Sequence, residues 1–294
     1  MVKTWSTPVI IEKKEVVPCI LCGYQDFEPA LDCEGFSFVR CTHCSLVQQN
    51  PQPDINATQA RYADRSSQDY LSYELANEDT FLELQQKALK DGGFFINEQN
   101  IFNQYVSRGN PPRVLDIGCA TGSLLAWLRD RGWDPLGVEL CSPEADYGRR
   151  VRNLPIITGT IETAKLESSS VDVALASHVI EHVNNPRSFV TEAYRIIKTG
   201  GYFYITTPTI DGFQAKIFGS HWRSAIFDHL YLFSKRTLRT LLEEVGFSIE
   251  ATVTWGGLAK GTVPQPVKIV ADALAKKMQW GDVVLMRCRK ASAR

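Results

Sequence analysis

The sequence predicts an α/β protein: a Rossmann-like, doubly wound sheet preceded by a small cysteine-rich module and a helical cap. Three observations predict it. Five of the eight cysteines crowd between Cys19 and Cys44, four of them in two C-x-x-C pairs. An apolar run, Arg113-Val-Leu-Asp-Ile, feeds a glycine-bearing turn and then a helical stretch, SLLAWLRDRG. Further strand-like runs then alternate with helical periodicity, the mark of a layered α/β domain. The 294 residues are 44% hydrophobic and 22% charged, ordinary globular usage that argues against disorder, collagen and coiled coil. Thirty-two Lys and Arg against 33 Asp and Glu leave no net field to draw the chain onto nucleic acid. No apolar h-region opens the chain and no run of about 18 apolar residues follows, so neither a signal peptide nor a membrane span is expected. With reduced cysteines, that places the protein in the cytoplasm as an expectation.

Residues 1–50 hold two C-x-x-C pairs, Cys19/Cys22 and Cys41/Cys44, separated by 18 residues. Each pair sets two thiolates on one side of a tight turn, and two such knuckles close the tetrahedral S₄ shell that a structural zinc prefers. Gly23 and Ser45 follow the pairs where short knuckle turns want them, and EGFSFVRC between them alternates like a strand. A redox dithiol would sit at a strand-to-helix junction in a βαβ unit, which is absent from this pattern. An iron–sulfur radical motif, C-x₃-C-x₂-C, fails because position 37 is Ser. With four sulfurs bound, zinc keeps no open position, so its role is structural, worth on the order of 10 kcal/mol in isolated modules. His43 is an alternative ligand or an exposed knuckle residue.

Asn50-Pro-Gln-Pro-Asp54 breaks the strand pattern, and residues 51–112 read as a mainly helical cap. Phe81, Leu82, Leu84, Leu89, Ile101, Phe102 and Val106 recur at helical intervals, Asp91-Gly92-Gly93 stops one helix, and Gly109-Asn-Pro-Pro112 ends the region. Tyr62, Tyr70 and Tyr73 read either as packing residues or as ligand contacts.

Residues 113–294 form the sheet domain, with insertions at 209–233 and 255–280. Gly118-x-x-x-Gly122 lets the backbone approach a ligand, and Glu139, ending the second strand, is placed to take ribose hydroxyls. The dinucleotide spacing G-x-G-x-x-G is absent, as is the Gly-Lys-Ser/Thr of a P-loop. Asp116, two residues before Gly118, would repel a pyrophosphate. It suits a ligand without phosphate that carries a sulfonium and an ammonium; the alternative is a buried structural cap.

VLDIGCATG (114–122), Val138-Glu139, ALASHVIEHVNNP (174–186) and IIKTGGYFYITTP (196–208) together resemble the motifs of class I S-adenosylmethionine-dependent methyltransferases. The resemblance implies a last strand antiparallel to an otherwise parallel sheet. It also implies a cofactor set of Asp116, Gly118, Cys119 and Gly122 at the methionine end, Glu139 on the ribose, Thr160 and Ile161 at adenine, and Ser177 at the end of the fourth strand. Threonine replaces the acid frequent at position 160 in relatives. FGSHWRSAIFDHLYLFS (218–234) resembles the acid-His-x-x-x-Phe-Ser stretch of sugar C-methyltransferases that carry a similar cysteine module. That implies His229 as base beside Asp228, with His182 a second catalytic candidate and His178, Glu181, Tyr62, Trp222 and Tyr231 toward the acceptor. Two alternatives stay open. His229 caps the following helix, or His178-Val-Ile-Glu181-His182 resembles, imperfectly, the metal-binding E-x-x-E-H of ubiquinone-type O-methyltransferases. Trp222 and Phe227 are candidates for an apolar wall.

The segment PVKIVADALAKKM puts Val267, Val270, Leu274 and Met278 on one face, an amphipathic helix whose lysines either meet solvent or attract an anionic acceptor. The expected function is methyl transfer from S-adenosylmethionine to a small acceptor, such as a nucleotide-sugar or another anionic metabolite. An RNA or protein methyltransferase using the cysteine module as a grip, and a non-catalytic zinc-binding protein with a degenerate domain, are the competing readings.

Overall fold

The computed structural model describes residues 14–56, 58, 68–105, 109–256, 270 and 275–291. Expectations for Tyr62, Val106, Val267 and Leu274 fall outside these residues.

The N-terminal module contains β1 (Lys14–Glu15), β2 (Phe27–Cys33), β3 (Phe36–Cys41), β4 (Val47–Gln49) and β5 (Gln52–Pro53). β2 and β3 form a hairpin around Glu34-Gly35, where Gly35 takes a φ of 84° that a Cβ would disfavour. Two helices follow, α1 (Gln68–Asp91) and α2 (Phe94–Tyr105). Asp91-Gly92-Gly93 does end α1, as expected, with Gly93 left-handed at φ 79°. These helices are more than a cap. Leu89, Phe94 and Ile101 pack with Leu128, Val173 and Tyr204 on one face of the main sheet, so they supply one of its helical layers. Leu84 is the exception to the periodicity, exposed on the outer side.

The main sheet is built from β6 (Arg113–Ile117), β7 (Asp134–Glu139), β8 (Ile156–Thr158), β9 (Val171–Ser177), β10 (Ile197–Pro208), β12 (Phe247–Trp255) and β13 (Val283–Lys290), in the order β12-β13-β10-β9-β6-β7-β8. β6 to β10 run parallel, and β13 lies antiparallel between β10 and β12, as the motifs imply. Helices α3 (Ser123–Asp130), α4 (Ser142–Val151), α5 (Pro186–Ile196), α6 (Phe213–Phe218) and α7 (Lys235–Val245) connect them. α5 starts on an Asn185 cap whose side chain accepts from Ser188 N, with Pro186 in the first turn. It stops at Ile196 because Ile197 is already extended and begins β10.

One short strand changes the architecture. β11 (Tyr231–Leu232), from the 209–233 insertion, pairs antiparallel with β4, so the module's sheet runs β11-β4-β3-β2. Cys19, Leu21, Cys41 and Leu46 share a core with Leu230, Tyr231, Phe233 and the α5 and α7 faces. The module is therefore sealed onto the methyltransferase-like sheet rather than tethered to it. In the C-terminal segment, Val270 and Met278 are both exposed, which contradicts the apolar core face expected of them. Lys276 there pairs with Asp91 at 2.7 Å.

Candidate active site

The cofactor loop leaves β6 at its C-terminal end, where ligands bind in open α/β sheets. Gly118 and Gly122 adopt φ of 73° and 79°. A Cβ on Gly118 would strike Val179 at 2.6 Å, so this glycine allows the loop and the turn after β9 to touch. Glu139 accepts from Ala120 N at 2.9 Å and Cys141 N at 2.7 Å, orienting its carboxylate at the tip of β7. Asp116 is 2% exposed, and burial followed by the nearby Glu139 pushes its carboxyl up to about 8. A buried acid held against a second acid is a site that gains by receiving a cation. That is the fit expected for a ligand bearing a sulfonium and an ammonium. Glu74 of α1 adds a third acid, raised to about 7 by burial and by Glu139 and Glu78.

The adenine expectations change. Ile161 is 1% exposed within the main core, so its side chain is committed to packing rather than to a ligand face. Thr160 is bound up with Thr163, whose backbone N donates to the Thr160 carbonyl and hydroxyl while Thr160 N donates to Thr163 Oγ1. Ser177 ends β9, and Cys119 is buried against Gly137.

Beyond β9, the chain turns through His178, a non-glycine at φ 57°, and such left-handed backbone is a strained conformation found at functional sites. The turn gathers three histidines around one acid. Glu181 is fully buried; its Oε1 meets His178 Nδ1 at 3.1 Å and its Oε2 accepts from Thr207 Oγ1 at 2.9 Å. Burial alone would raise this carboxyl, but the His178 hydrogen bond and the His178, His182 and His229 charges outweigh it and hold it near 2. His182 and His229 meet edge to face, centroids 4.7 Å apart. His182 Nδ1 donates to the Asp228 carbonyl at 2.9 Å and His229 Nδ1 to the Ser224 carbonyl at 2.8 Å. A carbonyl only accepts, so both rings carry a proton on Nδ1, which leaves Nε2 as the lone-pair nitrogen of a neutral ring. Burial, then His182, pushes His229 down to about 4, although Glu181 pulls upward.

Asp228 thus orients His182 through its backbone, and the partner of His229 Nδ1 is Ser224, not an acid. The helix-capping alternative for His229 is corrected too. α7 is capped by Ser234, whose hydroxyl accepts from Thr237 N in a reciprocal capping box. Tyr231 is also reassigned from acceptor contact to packing, being 1% exposed with its hydroxyl donating to the Asn184 carbonyl at 2.9 Å. Trp222 is buried with Phe38 and Val47 against the module's sheet, and Phe227 packs edge-on to Phe36. Its indole Nε1 meets no hydrogen-bond partner among the described residues, and neither does the side-chain amide of Gln49, which residue type and spacing did not single out.

At the other end of the module, the four cysteine sulfurs lie within 4.8 Å of one another. Cys19 and Cys44 Sγ are 3.3 Å apart, and Cys22 and Cys41 Sγ 3.5 Å, too far for disulfides and close to the edge of a tetrahedral zinc shell. Gly23 N donates to the Cys19 carbonyl and Ser45 N to the Cys41 carbonyl, closing two knuckles with Gly23 and Ser45 at φ 76° and 66°. Burial opposes ionisation of Cys41, yet backbone N–H groups of Cys44 and His43 and the Cys22 thiol lower it to about 7. The residues fit a thiolate-bound divalent ion. His43 is exposed and stacks on Tyr24 instead. Glu181, His182 and His229 form a second cluster able to hold an ion, their ligand atoms also within 4.8 Å.

Residues 73–252 match the methyltransferase domain family, and the chain belongs to that family. It is an S-adenosylmethionine-dependent methyltransferase of class I fold. A probable S-adenosylmethionine-dependent methyltransferase of Mycolicibacterium smegmatis is 26% identical over 208 residues, 66% of this chain and 79% of that one. The mitochondrial ubiquinone biosynthesis O-methyltransferase of Rattus norvegicus is 29% identical over 104 residues, only 32% of this chain and 30% of that one. Among solved structures, a possible histamine N-methyltransferase from Thermotoga maritima superposes with a TM-score of 0.52 at 20% identity, over 79% of this chain and 99% of its own. Those structural likenesses carry the fold. No helix of the described residues is long and apolar enough to cross a membrane.

Proposed function

We propose that this methyltransferase acts on a small, sugar-containing or otherwise polar acceptor, with His229 as general base and the cysteine module as a zinc-bound structural part of the acceptor site. The observation that carries the proposal is the convergence of His182 and His229 over buried Glu181, in a turn that touches the cofactor loop through Val179. When bound, S-adenosylmethionine supplies a methyl group already activated by a cationic sulfur. The protein's tasks are then alignment and proton removal. Asp116 and Glu139 orient the cofactor through its positive charges and ribose. His229 Nε2 would take the proton of the acceptor atom that receives the methyl group, the carbon–sulfur bond breaking to leave S-adenosylhomocysteine. The imidazolium formed is stabilised by Glu181 and by the Ser224 carbonyl at Nδ1–H. In the module, Cys19, Cys22, Cys41 and Cys44 hold zinc, which fixes β4 and through it β11, directly after His229.

Titration calorimetry with S-adenosylhomocysteine tests the cofactor part. Binding is expected in the parent and weakened by at least about tenfold in Glu139→Ala, since a carboxylate hydrogen bond contributes about 1.5–3 kcal/mol. Equal binding by parent and variant contradicts the assignment.

A further inference from the structure

We propose that the cysteine-rich module reads the acceptor directly, through Gln49, which with Trp222 presents an uncharged hydrogen-bonding wall for a hydroxyl- or carboxamide-bearing part of the acceptor beside His229. Gln49 is 1% exposed and Trp222 2% exposed. Among the described residues, neither Nε2 nor Oε1 of Gln49 has a hydrogen-bond partner, and Trp222 Nε1 has none. Buried polar groups are nearly always paired, and an unpaired one destabilises the fold by the full cost of losing water. Three such atoms in one neighbourhood mark groups kept for something that binds.

Their position is set by the sheet. Side chains alternate along a strand, so Gln49 shares a face of β4 with Val47 and lies opposite Phe38 of β3. Phe38 and Val47 belong to the cluster that Trp222, Ala225 and Leu232 complete, which puts Gln49 on the face covered by the 222–229 segment. Backbone near both residues is bonded into the segment that carries the histidine. Gln49 N donates to the Leu230 carbonyl at 2.8 Å, one residue past His229, and His229 Nδ1 donates to Ser224, two residues past Trp222. A carboxamide donates and accepts, as a hydroxyl or another amide does, and an indole adds one donor. In so apolar a setting an ionised group would be stranded, whereas each neutral hydrogen bond is strengthened. The inference rests on the methyltransferase reading with His229 at the acceptor, and it narrows the acceptor to one whose methylated portion is neutral and hydroxylated or amidated.

The test uses Gln49→Met, which keeps shape and removes the amide, and Trp222→Phe. Three quantities are read: the thermal midpoint, calorimetric affinity for S-adenosylhomocysteine, and labelled-methyl transfer from S-adenosylmethionine into a small-metabolite extract of the source cells, with products resolved by mass spectrometry. Gln49→Met is expected to unfold no lower than the parent, to bind S-adenosylhomocysteine unchanged, and to lose about tenfold or more of transfer, chiefly through KM. Trp222→Phe is expected to lose transfer with cofactor affinity retained. The labelled product should carry hydroxyl or carboxamide groups beside the new methyl. Unchanged transfer in Gln49→Met overturns the proposal. So does a lowered midpoint with transfer falling only in step with folded protein, which is a purely structural glutamine. A parent that binds S-adenosylhomocysteine yet labels nothing removes the methyltransferase reading beneath and this inference with it.

Discussion

In the proposed mechanism His229 is the general base, and its environment makes a pH prediction. Burial holds its pKa at about 4, below the ordinary 6.5, so the ring is neutral at neutral pH and its Nε2 is open to a proton. A depressed histidine contributes stability that is complete above about 6.5 and is lost as pH falls through about 4. The full difference is on the order of 3 kcal/mol. Urea unfolding at pH 7 and pH 4.5 is expected to show a large acid loss in the parent and a smaller one in His229→Gln. Asp116 has the opposite sign. Its raised carboxyl is protonated in much of the free protein near pH 7, and a bound cation favours the ionised form. Calorimetry at pH 7 in two buffers of different ionisation enthalpy should therefore detect up to about one proton released on binding S-adenosylmethionine, which carries both positive charges, and none in Asp116→Asn. A parent that releases no proton contradicts the role given to Asp116. Asp116, the glycines and the four cysteines were legible in the sequence because covalent spacing alone sets their geometry. Gln49 was not, since a glutamine in a short strand acquires meaning only from what later chain segments lay against it.

At the scale of elements, β11 decides most. Two residues long, it pairs Tyr231 with Gln48 and Leu232 with Val47, while Leu230 N and Tyr231 N both donate to the Glu181 carbonyl. The segment bearing His229 is thereby clamped between β4 of the module and the turn that carries Glu181 and His182. If the four cysteines hold zinc as proposed, its loss should loosen this clamp without touching β6 or β7. Cys41→Ser, or chelation, is expected to lower methyl transfer by about tenfold or more while S-adenosylhomocysteine still binds; a parallel loss of both would place the module's role elsewhere. The neighbouring capping box gives a second check: Ser234→Ala should cost about 1 kcal/mol in chemical unfolding with transfer little changed. The sequence read 209–233 as an insertion because a two-residue strand offers no periodicity to detect. Ser234, noted within a catalytic-looking stretch, has a mundane role at the start of α7.

Across the whole molecule, one core runs from the cysteine knuckles through α5 and α7 to β10 and β13. The sheet order was legible because successive motifs each mark a strand end, and the parallel strands are apolar runs buried on both faces. The join between module and sheet was not, since it depends on contacts between segments far apart in the chain. Removing residues 1–53 would expose Leu230, Tyr231 and Phe233, each buried to about 1%. The shortened chain is expected to aggregate in size-exclusion chromatography rather than to behave as a trimmed enzyme. A monodisperse, folded fragment would show that the module is dispensable to the core. The most direct measurement of the central claim is labelled-methyl transfer from S-adenosylmethionine into small metabolites, parent and His229→Ala side by side. A labelled product is expected with the parent and a loss of about 10²–10⁴-fold with the variant, at unchanged S-adenosylhomocysteine affinity. Transfer by the variant within about tenfold of the parent would contradict that claim.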